Sequence, residues 1–175
     1  MVGIALVPAG AQPQNLFGVP HFDQVIASYM AMRHEVERRV GVPYVSATST
    51  AIETMQDALA RGIREARPNA KVGDIFGAGV AFEFRRRIDR AIESRGPFQG
   101  GFIGFRQDAS PLSCTPTVNG SFDWRFGAQM PAAITEALPD VPWPLQYRLV
   151  CRDLVLLDSD AGLIVDVLPD ALTAQ

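Results

Sequence analysis

The sequence predicts an α+β fold: three N-terminal helices, an irregular connector, a short helix and a C-terminal three-stranded antiparallel meander. Three observations predict it. Apolar residues recur at three- and four-residue spacing from Phe22 to Ile92. Short β-rich runs replace that period after Gln146. Between the two lies a stretch in which glycine and proline interrupt aromatic residues. A switch from helical to strand period along one chain is the signature of segregated helices and strands.

The first 20 residues read as a leader, because Pro13, Gly18 and Pro20 break any regular pattern. A single domain is expected over 21–175, a length that suits one hydrophobic core. Its first helix begins near Asp23. Phe22, Val25, Ile26, Tyr29, Val36 and Val40 share one face, and Arg33, Glu37 and Arg38 lie towards the polar side. Gly41 and Pro43 end it.

The second helix starts at Thr50, which forms a capping box with Glu53. Its buried stripe is Ile52, Met55, Leu59, Ile63 and Ala66, and Pro68 terminates it because the residue before proline resists helical geometry. The third helix opens at Asp74 as N-cap, with Phe76, Val80, Phe84, Ile88 and Ile92 recurring every four residues. Gly77 and Gly79 fall in its first turn, where they weaken a helix and leave room for a close neighbour.

Residues 96–128 form the connector, which carries Phe98, Phe102, Phe105, Phe122 and Trp124 and a short strand around Thr117–Val118. Met130-Pro131 starts a short helix that runs to Leu138. Three strands come next, over 146–150, 154–158 and 163–167. Their turns are Cys151-Arg152-Asp153 and Ser159-Asp160-Ala161-Gly162. A sheet of this size needs a partner layer, and the helices supply it.

Composition narrows the function classes. Hydrophobic residues make up 47% of the 175 and charged residues 20%, and the net charge is −3. No overall positive field exists to hold nucleic acid, and no run of apolar residues is long enough to span a bilayer. The 16 basic residues are all arginine except Lys71. Arg85, Arg86, Arg87 and Arg90 concentrate them on one side of the third helix, a patch suited to an anionic partner or to neutralisation by Glu83, Asp89 and Glu93. The N-terminus bears on compartment. An apolar run, Val2 to Val7, precedes Ala9-Gly10-Ala11, the small-x-small pattern of a signal-peptidase site that would cut before Gln12.

Catalytic signatures are missing. Cys114 and Cys151 make no zinc motif, and no local signature joins them to His21 or His34 as nucleophile and base. His34-Glu35 lacks the second histidine of a metalloprotease helix. Asp158-Ser159-Asp160-Ala161-Gly162 places its glycine one position early for a calcium loop and reads as a hairpin turn. No catalytic, cofactor-binding or metal-binding residue is assigned, and no cofactor is expected. In an oxidising compartment Cys114 and Cys151 are the candidates for one disulfide, closing a loop of roughly 36 residues worth about 3–4 kcal/mol.

The tail, Tyr147-Arg148-Leu149-Val150, Arg152-Asp153-Leu154-Val155-Leu156, Asp158 and Gly162 to Val167, resembles the closing β-meander of small periplasmic proteins of the RcnB type, associated with nickel and cobalt homeostasis. Four further stretches are similar to a set of uncharacterised exported proteobacterial proteins. They are Ala66-Arg67-Pro68, Gly73-Asp74-Ile75-Phe76, Phe84-Arg85-Arg86-Arg87-Ile88 and Val118-Asn119-Gly120. These resemblances imply a periplasmic or secreted setting and an architecture, and no reaction. The expectation is a non-enzymatic exported binding or accessory protein, whose partner is an envelope protein or an anionic molecule. The alternatives are a small hydrolase with its site in the connector cleft and a cytoplasmic interaction domain.

Overall fold

A computed structural model describes residues 20–41, 49–94, 115–123, 127–128 and 130–172. The leader before Pro20, most of the connector with Phe98, Phe102, Phe105 and Trp124, and Cys114 lie outside the described residues. The element order is α1 (Pro20–Val40), α2 (Ser49–Ala66), α3 (Ala78–Glu93), β1 (Gly127–Ala128), α4 (Ala132–Ala137), β2 (Leu145–Val150), β3 (Asp153–Asp158) and β4 (Leu163–Leu168). This is the predicted α+β architecture, with helices layered on an antiparallel meander.

The sheet is wider than the meander alone. Its order is β1-β2-β3-β4, all antiparallel, and Ser121 bridges to Leu163 on the outer side of β4. The strand expected around Thr117–Val118 is therefore a contact a few residues later. The Asn119 N–H bonds the Ile164 carbonyl and the Ile164 N–H bonds the Gly120 carbonyl.

One face of the sheet, with Leu145, Tyr147, Leu149, Leu154 and Leu156, packs on the helices. Val150, Val155, Leu157, Ile164 and Val167 face the other way and pack with Phe122 and Val118. Burial on both faces is why β3 and β4 read as nearly continuous apolar runs instead of alternating. A register shift between β3 and β4 leaves Val165 without a cross-strand partner: Leu156 pairs Asp166, and Leu157 pairs Ile164. The extra residue reverses the facing of the rest of the strand, so Asp166 and Leu168 point with Leu163 towards the helices.

An aromatic cluster anchors the helix layer. The Phe84 ring on α3 lies 5.1 Å from Phe22 of α1, 5.5 Å from Phe76 and 6.0 Å from Tyr147 of β2. Edge-to-face and tilted pairs at these separations suit the ring quadrupoles. Each such side chain contributes roughly 1.5–3 kcal/mol through burial. α2 meets α1 closely at Gly62, where an added Cβ would fall 2.5 Å from a Val36 methyl.

Several local expectations need correction. Arg33, expected on the polar side of α1, is buried at 2% exposure. It sits four residues after Tyr29 and three before Val36, in phase with the apolar stripe. On α2, Leu59 and Ile63 are buried as expected, but Ile52 in the first turn and Ala66 at the last position are exposed. α2 opens at Ser49, and the carbonyl of Thr50 accepts the Thr54 hydroxyl. α3 begins at Ala78, with Gly77 as its cap. Asp74 closes the preceding loop instead, its carboxylate accepting the Lys71 N–H. Gly79 makes no close approach, since a Cβ there would meet nothing within 4 Å. Pro131 caps α4 and does not occupy its first turn. The β2–β3 turn is Cys151-Arg152, with Asp153 already in β3.

Candidate functional site

Three buried charges, Arg33, Asp158 and Asp166, stand out among the described residues. Burying an ionised group is costly unless partners surround it, so their environments decide what each one does.

Arg33 reaches from α1 to the β3–β4 turn. Its Nε donates to Asp158 Oδ2 at 2.6 Å, Nη2 to Asp160 at 3.0 Å and Nη1 to Glu37 one helical turn on. The Tyr29 hydroxyl donates to the same Asp158 oxygen at 2.8 Å, and the other oxygen accepts the Ala161 N–H at 3.1 Å. Burial raises the Tyr29 phenol well above its ordinary value, and the Asp158 charge adds to the shift. Burial opposes the Arg33 charge, but Asp158 and Glu37 overcome that opposition and raise it. Burial also raises Asp160, against the pull of Arg33. The cluster fastens α1 to the sheet, with Arg33 and Asp158 buried and Glu37 and Asp160 on its solvent side.

Asp166 faces the loop before α3. Its two oxygens accept the N–H groups of Gly73 at 2.9 Å, Ile75 at 2.7 Å, Phe76 at 2.7 Å and its own neighbour Val167 at 2.8 Å. The loop curls around the carboxylate, with Gly73 in the left-handed region at φ 87°. Four charge-assisted bonds compensate for the lost hydration.

The groove nearest this machinery lies between α1, the end of α2 and the loop at 70–75. It measures about 250 Å³, and Tyr29, Arg67, Asp74, Met32 and Ile75 are in its wall. The Arg67 guanidinium stacks over the Tyr29 ring at 5.4 Å, and its Nη1 donates to the Val165 carbonyl at 3.2 Å. Val165 is the bulged residue, so its carbonyl is free to take a side-chain donor. The Arg67 carbonyl accepts Asn119 Nδ2, and the Asn119 carbonyl accepts Arg64 Nε. The end of α2 is thereby pinned to the outer edge of β4.

A second, wider groove of about 420 Å³ runs between α3 and α4, with Arg87, Arg90, Ser94 and Glu136 on its rim and alanines on its floor. The arginine patch singled out in the sequence lies alongside. Arg85 donates to the Pro169 carbonyl at 2.7 Å. Arg86 grips Glu83 with two bonds, and Arg87 joins the same carboxylate at 2.8 Å. These bonds hold Glu83 down to about 2. Arg90 is the exposed member.

The other candidates fall apart in space or outside the described residues. His21 and His34 are exposed on α1. No group of three or more His, Cys, Asp or Glu among the described residues is placed to hold a metal ion. No helix among them is long and apolar enough to cross a membrane. Cys151, left-handed at φ 54°, has its sulfur in a disulfide. Sequence reasoning passed over Arg67 as the residue before a helix-ending proline. Its signal was weak, an arginine with Arg64 three positions before it and no acidic residue at helical spacing. No family model, no curated protein and no solved structure matches the chain.

Proposed function

We propose that this chain is an exported, non-enzymatic binding or accessory protein of the bacterial envelope. The observation that carries the export half is the disulfide at Cys151. Thiols stay reduced in the cytoplasm of most cells, whereas disulfides persist in the periplasm and outside it. Cys114 is the one other cysteine in the sequence and the proposed partner.

The binding half draws support from how the charged side chains are used. Arg33, Asp158 and Asp166 serve to hold elements together, and Glu83 is paired with both Arg86 and Arg87. The charge left facing solvent beside a groove is suited to recognition more than to bond-making.

The test is capture of the tagged full chain from the envelope fraction, with intact mass measured before and after reduction. The expected species begins at Gln12, gains two hydrogens on reduction and carries a specific partner or ligand. A cytoplasmic species with Met1 retained and two free thiols would refute the proposal.

A further inference from the structure

We propose that the groove between α1, the end of α2 and the 70–75 loop binds a free α-amino acid with a medium-sized apolar side chain. The inference rests on the binding-protein reading above and names a ligand class for it.

The polarity of the groove is divided. Arg67 is its donor. Stacking on Tyr29 and the bond from Nη1 to the Val165 carbonyl fix the plane of the guanidinium. Among the described residues that is its one side-chain hydrogen bond to a neighbour, so the rest of the planar fork remains available for two-point contact with a carboxylate. A clamped arginine loses less freedom when it binds than a mobile one.

The other two polar groups are acceptors. The Ser28 hydroxyl already donates its proton to the Gln24 carbonyl at 2.9 Å, so towards the groove its oxygen can only accept. Asp74 is exposed and anionic, and one of its oxygens takes the Lys71 N–H, leaving the other for a ligand donor. An anion alone would meet Arg67 but be repelled by Asp74. A cation alone would meet the reverse. A zwitterion satisfies both ends.

Val25, Met32 and Ile75 supply the apolar remainder of the wall. A groove of about 250 Å³ is too small for most drug-sized molecules, which occupy roughly 300–1,000 Å³. It has room for a side chain the size of leucine or methionine. Met32 adds an adaptable thioether surface.

The test is a methyl-resolved NMR titration of the purified full chain, following Met32 and Ile75. The probes are L-leucine, glycine, 4-methylpentanoate, which lacks the ammonium, and isopentylamine, which lacks the carboxylate. Leucine is expected to bind saturably, with each of the other three weaker by about tenfold or more. Asp74→Asn should weaken leucine by a similar factor while leaving 4-methylpentanoate no weaker. Arg67→Lys, which keeps the charge but loses the fork, should weaken both. Should Arg67→Lys disturb the fold, Asp74→Asn still decides the matter, since Asp74 is exposed and asparagine can accept the same Lys71 N–H. The proposal is overturned if leucine causes no saturable shift, or if leucine and 4-methylpentanoate bind the wild-type chain equally. Either result leaves the export proposal to its own mass measurement.

Discussion

Arg33 on α1 and Asp158 at the end of β3 are 125 positions apart in sequence and meet at 2.6 Å, with neither side chain reaching bulk water. This contact is among the longest-range specific bonds that close the helix layer on the sheet. Asp160, Glu37 and Tyr29 complete its surroundings.

Removing either partner of this pair strands the other charge in a dry site. Arg33→Met and Asp158→Leu are each expected to lower stability by about 3–5 kcal/mol in urea unfolding. The double variant should lose much less than the sum, because apolar groups of similar size can replace a buried pair. Additive losses would show that the two groups are independent. Tyr29→Phe, which removes one donor to Asp158, should cost about 1–2 kcal/mol.

Asp166 is expected to govern the order of the loop before α3. Asp166→Ala leaves the N–H groups of Gly73, Ile75 and Phe76 without their acceptor. Each unmet buried donor costs roughly 1–3 kcal/mol. Hydrogen exchange should speed up at Ile75 and Phe76 well before it does in the strands. Unchanged protection at these two amides would contradict the assignment.

Two glycines on helices should respond oppositely to alanine. Gly62→Ala drives a Cβ into Val36, and such overpacking typically costs about 1–3 kcal/mol. Adding Val36→Ala should recover part of the loss. Gly79→Ala meets open space in the first turn of α3 and should raise stability by up to about 1 kcal/mol. Thermal melts of the three variants decide both cases.

The acid limb of stability should carry the mark of Glu83. Hydrogen bonds from Arg86 and Arg87 lower it from 4.5 to about 2, so its contribution is fully present above the unfolded value and lost as pH falls through the folded one. The window is therefore about pH 4.5 down to 2. Asp160 acts in the opposite sense: burial raises it, so its contribution weakens as pH rises through the carboxylate range. Glu83→Gln should flatten the fall in Tm between these limits. An identical pH profile for variant and parent would show the carboxylate to be unlinked to folding.

Much of the architecture was legible in the order of residues. The four-residue recurrence of Val80, Phe84 and Ile88 located α3, and the runs around Leu149, Leu156 and Val165 located the meander to within a residue at each end. The misplaced features share a physical cause. Arg33, Asp158 and Asp166 stand in apolar phase, and a rule that sends charges outward cannot see that each meets its partners from far along the chain. β1, at two residues, is too short to show any period. Asp74 has the chemistry of an N-cap, but the bonds from Ile75 and Phe76 to Asp166 hold the chain out of the helix until Ala78. The groove at Arg67 was invisible because its parts come from α1, the end of α2 and the loop beyond.

The unpaired Val165 gives β4 a property that substitutions will not expose. Deleting that one position would close the register, with Asp166 still opposite Leu156 and facing the helices, and would take away the carbonyl that anchors Arg67. The extra residue and the hold on Arg67 are thus inherited together here. A lineage that trims the strand by one residue can keep the aspartate but must hold Arg67 in another way, and a shortened strand with Arg67 still fixed over Tyr29 would show the coupling to be false.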